Sequence, residues 1–202
     1  GRVDVIREPA SSLYGAGIGG VVNFYSARPE QAGSAITQGL IGGADGLFRS
    51  DTRLSRVTDA SSLALAYGHQ GYQSYRIHSA SKKDFGSLLG DFTPSAQQSI
   101  STYLSYANSR DLRAGELDSV SFAQELNAGE DKYLANNARS EIESFRTGVS
   151  QNYSYNDHVQ SIATGYFGGN TLKDVYAAGI NSKSNQTFGA RFLLNTNFVN
   201  AT

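Results

Sequence analysis

The 202-residue chain carries 17 basic and 18 acidic side chains, so it has no charge excess that would indicate a nucleic-acid partner. Its sequence contains neither cysteine nor methionine, which excludes disulfide bonds and cysteine-ligated zinc. No run of residues approaches the roughly 18 apolar positions that a transmembrane helix needs. Because the chain opens at Gly1 without a start residue or leader, we expect it to be a fragment of a longer protein.

The first predicted element is the β-branched run VDVI, which precedes a glycine-rich segment. A nucleotide-binding loop would need a helix after its glycines, because the helix N-terminus holds the phosphates. Residues 21–26 are instead β-branched and aromatic, and the run stops before Pro29. These residues predict a strand, so the glycines form a tight connection between two strands. The glycines are Gly15, Gly17, Gly19 and Gly20.

The whole stretch REPASSLYGAGIGGVVNFYSARP, at residues 7–29, resembles the end of the plug domain in TonB-dependent outer-membrane receptors. That family has an Arg-Gly-Pro turn, Leu-Tyr-Gly, a glycine-rich loop, a Gly-Gly-Val strand start and a basic-residue-Pro exit. Here Glu8 stands where the family usually has the glycine of the turn. The matching positions are Arg7, Pro9, Leu13, Tyr14, Gly15, Gly19, Gly20, Val21, Asn23, Arg28 and Pro29.

The resemblance implies an all-β fold in two parts. Residues 1–32 would be the C-terminal part of a plug domain. Residues 33–202 would be the N-terminal part of a truncated, antiparallel transmembrane β-barrel with about eight meandering strands. The glycine loop would belong to the plug.

The chain after the motif alternates apolar with polar residues, which is typical of strands that have one apolar face. Soluble sandwich strands show the same period, so periodicity alone leaves both architectures open. In a barrel, the lipid-facing side chains would be Phe145, Val149, Tyr153, Phe188, Phe192 and Leu194. Those facing the lumen would be Ser144, Arg146, Ser150, Arg191 and Asn195.

Segment length favours the barrel, because most predicted strands reach the roughly 9–11 residues that cross a bilayer at a tilt. The predicted strands are 35–45, 47–57, 62–70, 80–92, 98–109, 141–155, 157–168 and 186–198. Short turns alternate with longer loops at 71–79, 110–140 and 169–185, as in outer-membrane barrels. Within 110–140 the sequence indicates a short helix capped by Ser119 or Ser121.

Two arginines flank the plug motif. In the family that the motif resembles, the arginine of the turn lies inside the barrel and pairs with glutamates of the barrel wall. The resemblance therefore implies a plug–barrel latch formed by Arg7, and we add Arg28 to it. A guanidinium suits this role because it forks onto carboxylates and stays charged when desolvated. The alternative is that both arginines are solvated turn residues.

Four loop residues are candidate contacts for cargo. Ferric siderophores are often anionic and carry flat aromatic groups, which aromatic rings and cations can hold. Tyrosines also concentrate in the aromatic belts at membrane interfaces, which is the competing interpretation. The candidates are Tyr72, Tyr75, Arg76 and Tyr133.

The sequence shows no catalytic motif, metal-ligand spacing or cofactor motif, and we predict no enzyme. The resemblance implies an active-transport receptor in the outer membrane of a Gram-negative bacterium. Its partners would be the TonB complex, reached through a segment outside the chain, a ferric siderophore and outer-membrane lipid. Cobalamin or another metal chelate is the alternative cargo. A soluble or surface β-rich binding or adhesion domain is the alternative function.

Overall fold

The computed structural model describes residues 2–7 and 20–197. Strands β1 (Arg2–Ile6) and β2 (Val21–Tyr25) form a two-stranded antiparallel sheet in which Ile6 lies opposite Val21. The strand predicted after the glycines is therefore confirmed. Because β2 begins directly after Gly20, no helix starts at the position that a nucleotide-binding loop requires.

The second sheet has eight strands, and each strand pairs antiparallel with the next one along the chain. This simple meander confirms the predicted all-β, partial-barrel architecture. The strands are β3 (Gly33–Gly42), β4 (Phe48–Val57), β5 (Ser61–Tyr72), β6 (Ser81–Ser95), β7 (Gln98–Leu112), β8 (Arg139–Asn156), β9 (Val159–Tyr176) and β10 (Gly179–Thr196).

The connections differ between the two ends of the sheet. At one end, the connections at 58–60, 96–97 and 157–158 are tight turns. At the other end, residues 113–138 form the longest loop, which holds helices α1 (Ser119–Gln124) and α2 (Asp131–Ala135). Among the described residues, no helix is both long and apolar enough to cross a membrane.

The loop predicted at 169–185 is not present. Strands β9 and β10 pair without interruption from Thr196 opposite Val159 to Gly179 opposite Tyr176, and only Ala177 and Ala178 form the turn. The sequence prediction was wrong because this stretch lacks an apolar face. The backbone hydrogen bonds of the ladder form without one, since each strand satisfies the N–H and C=O groups of its neighbour.

The described residues enclose no core between two layers. The buried apolar side chains are few and small, and large ones lie on the surface, with Phe188 81% and Phe192 66% exposed. A soluble sandwich would bury these rings between its sheets. The structure of the described residues therefore contradicts the soluble-sandwich alternative.

The register places most of the exposed apolar side chains of the large sheet on one face. One continuous line of paired residues crosses all eight strands, and seven of its eight members are large and apolar. We name this line the apolar row. Its members are Ile36, Leu54, Leu65, Leu88, Leu104, Thr147, Phe167 and Phe188.

Candidate functional site

Contacts with the segment that leaves β2 identify the inner face of the large sheet. The hydroxyl of Ser62 donates a hydrogen bond to the carbonyl of Pro29 at 3.3 Å, and Arg28 forms an ion pair with Asp91. Ser62 and Asp91 lie opposite each other in the register of β5 and β6, so they share one face. The chain leaving the small sheet therefore lies against this face, which we name the inner face.

The two faces separate the residues as the alternation predicts. The register places Arg146, Ser150 and Arg191 on the inner face, and it places Phe145 and Phe188 on the opposite, outer face that carries the apolar row. Ser144 and Asn195 also lie on the inner face, and Val149, Tyr153, Phe192 and Leu194 lie on the outer face. The predicted division of these eleven side chains is confirmed.

The ion pair of Arg28 and Asp91 joins a turn residue to a barrel strand. Asp91 also accepts a hydrogen bond from the hydroxyl of Ser101 on β7 at 2.6 Å, so two groups hold its carboxylate in place. The pair is partly solvated, with side-chain exposures of 42% for Arg28 and 31% for Asp91. This geometry fits a contact that holds two parts of the chain together and can still exchange with water.

Arg7, the other predicted latch residue, has different surroundings from Arg28. Its side chain is exposed, and it forms no ion pair within the described residues. Glu8, the nearest carboxylate in the sequence, lies outside the described residues. The latch role of Arg7 therefore stays a prediction.

Of the four glycines in the motif, the structure describes Gly20. Its φ is +122°, a value that L side chains rarely adopt, and a Cβ there would overlap the carbonyl oxygen of Ile6. Glycine is therefore required where the loop enters β2. Gly15, Gly17 and Gly19 lie outside the described residues.

Arg76, a candidate cargo contact, supports the loops. Its Nε donates to the carbonyl of Ala128 at 2.7 Å, and its Nη2 donates to the carbonyl of Ala114 at 3.5 Å. The backbone N–H of Ile77 also donates to the carbonyl of Asn127 at 3.0 Å. The 73–80 loop is thereby fastened to the 113–138 loop, and the guanidinium is already engaged by carbonyl oxygens.

The three candidate tyrosines occupy different surroundings. Tyr75 is 63% exposed at the tip of its loop, whereas Tyr72 lies at the end of β5, opposite Ser81. Tyr133 lies on α2, and its ring covers Gly115, where an added Cβ would come within 2.7 Å of the ring. Tyr75 is therefore the candidate with the most side chain available to a ligand.

A polar cluster that no local sequence pattern indicates joins the long loop to the hairpin of β9 and β10. Arg113 donates to Asp174 at 2.9 Å, and its guanidinium lies 5.2 Å from the centre of the Tyr176 ring. The hydroxyl of Tyr176 also donates to Asp174 at 3.1 Å. Asp174 is only 5% exposed, so these two partners satisfy a carboxylate that is removed from water.

The 113–138 loop has its own internal support. Asp118 caps α1, because its carboxylate accepts a hydrogen bond from the backbone N–H of Ser121 at 2.7 Å. The same hydrogen bond lowers the pKa of Asp118 below its ordinary value. The predicted caps Ser119 and Ser121 are therefore wrong, since both lie within the helix.

Comparison with protein-family models and with curated proteins gives no match. Solved structures do match. Unliganded ferric citrate transporter FecA aligns with a TM-score of 0.76 at 18% identity, over 98% of this chain and 31% of that one. The siderophore receptor PiuA from Acinetobacter baumannii aligns with a TM-score of 0.73 at 13% identity, over 98% of this chain and 32% of that one.

The ferric-catecholate import receptor Fiu from E. coli K12, in its open form, aligns with a TM-score of 0.73 at 12% identity, over 98% of this chain and 36% of that one. The chain thus spans about a third of the length of each of these structures. At these identities the likeness concerns the fold. The chain shares its fold with about a third of each of these three structures, which agrees with the partial-barrel fold expected from the motif at residues 7–29.

Proposed function

We propose that the chain is part of a TonB-dependent outer-membrane receptor that imports ferric siderophores. Residues 1–32 are assigned to the plug domain and residues 33–202 to the barrel. The observation that carries the proposal is the division of the large sheet into two faces. The outer face presents the apolar row to its surroundings, and the inner face contacts the segment that leaves the plug-like sheet through Arg28 and Ser62.

This arrangement has a direct physical explanation in a bilayer. An exposed row of leucine and phenylalanine is costly in water but favourable against lipid tails. A strand that crosses a bilayer must also pair its backbone groups, which the antiparallel ladders provide for β4 to β9, with register shifts only near the turns at 96–97 and 157–158. We therefore assign the outer face to outer-membrane lipid and the loops at 73–80 and 113–138 to the external side.

The cargo assignment is supported by three structural relatives that are named for ferric citrate, a siderophore or a ferric catecholate. Uptake across the outer membrane needs energy from the inner membrane, and we assign that role to the TonB complex. Among the loop candidates we retain Tyr75 as a cargo contact. We assign Arg76 to loop support, because its guanidinium is bound to two carbonyl groups.

The test expresses the complete reading frame that contains this chain in iron-starved cells lacking their own siderophore receptors. Uptake of radioactive iron is measured with ferric citrate, a ferric catecholate and a ferric hydroxamate, and uptake of cobalamin is measured as the alternative cargo. We expect uptake of one ferric chelate to depend on both this protein and TonB. Equal uptake in cells without TonB would contradict the proposal, as would recovery of the protein in the soluble fraction.

A further inference from the structure

A patch of basic side chains lies on the outer face, near the loop end of the strands. The register places Lys82 opposite Arg110, Arg110 opposite Glu141, and Glu141 opposite Lys173, along one line across β6 to β9. Arg139 lies two residues before Glu141 on the same face of β8. We name Lys82, Arg110, Arg139 and Lys173 the basic patch.

The patch has more positive charges than it has carboxylates to balance them. Glu141 is its one internal carboxylate, and it pairs with Arg139 at 2.9 Å and with Arg110 at 3.6 Å. Four cations and one carboxylate leave a net charge of three positive units. Lys82 and Lys173 form no ion pair with any described residue.

The nearest other carboxylates on the outer face lie closer to the apolar row, and their hydrogen bonds with tyrosine hydroxyls hold them there without cancelling their charge. Asp84 accepts from the hydroxyl of Tyr67 at 2.9 Å and lies 2.7 Å from Nδ1 of His69. Glu143 accepts from the hydroxyl of Tyr106 at 2.9 Å. Both carboxylates lie between the apolar row and the basic patch, where they fix the tyrosine rings.

The position of the patch along the strands corresponds to lipid headgroups. Arg110 lies four residues beyond Tyr106 on β7, which is about 13 Å along the strand and about 9 Å along the membrane normal at the usual tilt. Tyrosine rings that carry polar partners typically lie at the membrane interface. Side chains of this patch therefore reach the layer in which headgroup phosphates lie.

We propose that the basic patch binds the phosphate groups of an anionic lipid headgroup in the external leaflet. The proposal rests on the membrane placement proposed above. Guanidinium groups form paired hydrogen bonds with phosphate oxygens, and lysine supplies a mobile point charge for the same group. The site is separate from the inner face and from Tyr75, so it stabilises the receptor in its membrane without taking part in cargo binding.

The test uses the full-length protein, purified in detergent and stripped of lipid. Native mass spectrometry counts the bound molecules of phosphatidylglycerol, of phosphatidylcholine and of a bis-phosphorylated glycolipid. The test variant is Lys82→Gln/Arg110→Gln/Lys173→Gln. The matched control is Arg53→Gln/Arg146→Gln/Arg191→Gln, which removes the same charge from the inner face.

We expect the test variant to lose affinity for the phosphate-bearing lipids by at least about tenfold, with the control unchanged and phosphatidylcholine binding unchanged. Equal losses in the two variants, or none in the test variant, would overturn the proposal. So would full competition by inorganic phosphate, which would indicate a site for a free anion. If the triple variant does not fold, the single variants Lys82→Gln and Lys173→Gln are measured in its place.

Cargo uptake separates this inference from the proposed function. The test variant should import the ferric chelate at the wild-type rate once it is in the membrane, because the patch faces away from the lumen. If the wild type fails to import any chelate and still binds phosphate-bearing lipid through the patch, the receptor function is wrong and the lipid site stands.

Discussion

Arg28 and Asp91 form an ion pair that joins the segment leaving β2 to the inner face of β6. The other carboxylate oxygen of Asp91 accepts a hydrogen bond from the hydroxyl of Ser101, so two groups orient this carboxylate. The pair lies beside the hydrogen bond between Ser62 and Pro29. These two contacts tie the segment between β2 and β3 to the inner face of the large sheet.

Replacing Arg28 with alanine in the full-length receptor should loosen this connection. The pair is partly solvated, so we expect a coupling energy of only about 0.5–1 kcal/mol between Arg28 and Asp91 in a double-mutant cycle. If the proposed receptor function holds, even a small loosening of the proposed plug is detectable as entry of large antibiotics into the cell. The measurement is antibiotic sensitivity at equal expression levels of wild type, Arg28→Ala, Asp91→Ala and the double variant.

The control for this series is Arg56→Ala, which removes an exposed arginine from the outer face. Arg7→Ala tests the second predicted latch residue in the same assay. Leakage through Arg28→Ala no greater than through Arg56→Ala would reduce Arg28 to an ordinary turn residue.

Replacing Gly68 with alanine should destabilise the sheet. The ring of Phe85, the residue opposite on β6, lies directly over Gly68, and an added Cβ would overlap it. We expect a loss of about 1–3 kcal/mol in unfolding free energy, measured by urea denaturation of the full-length protein in lipid vesicles. Gly165→Ala is the matched control, because no atom lies within 4 Å of its added Cβ. Equal losses in both variants would indicate a general cost of replacing strand glycine.

Strand β5, which contains Gly68, was predictable, since Leu63 and Leu65 on its outer face alternate with Ala64 and Ala66 on its inner face. The part of the β9–β10 hairpin at residues 169–185 was not, because it lies beyond the apolar row and carries no alternation. There the backbone ladder alone sets the structure.

The roles of single side chains were harder to predict than the strands. Arg76 resembles a cargo cation in the sequence, yet it binds the carbonyls of Ala114 and Ala128, which lie 38 and 52 residues away. Arg113 and Asp174 are 61 residues apart and meet only through the pairing of the strands. No local pattern encodes such contacts, because they depend on which loops the sheet brings together.

Replacing Arg113 with alanine should release the 113–138 loop. The side chain of Asp174 is only 7% exposed, so its carboxylate would lose a cation without gaining much water. We expect local stability to fall by about 1–3 kcal/mol, visible as faster hydrogen exchange in the loop and in the hairpin at 177–178. Lys132→Ala, an exposed change in the same loop, is the control. Unchanged exchange in Arg113→Ala would show that the contacts of Arg76, Ile77 and Asn136 hold the loop without Arg113.

The cap of α1 gives a prediction about pH. The pKa of Asp118 is lowered by the hydrogen bond from the N–H of Ser121, so its folded pKa lies below the unfolded one. The charged cap therefore contributes its full stabilisation above the unfolded pKa of about 3.9 and loses it as pH falls through the folded pKa.

Asp118→Asn keeps an acceptor for the Ser121 N–H but removes the titration, whereas Asp118→Ala removes both. Protection factors of residues 119–124, which correct each exchange rate for the intrinsic pH dependence of amide exchange, should thus fall in acid for the wild type, stay constant for Asp118→Asn, and be low at every pH for Asp118→Ala. The same acid dependence in Asp118→Asn as in the wild type would assign the effect to another carboxylate of the loop.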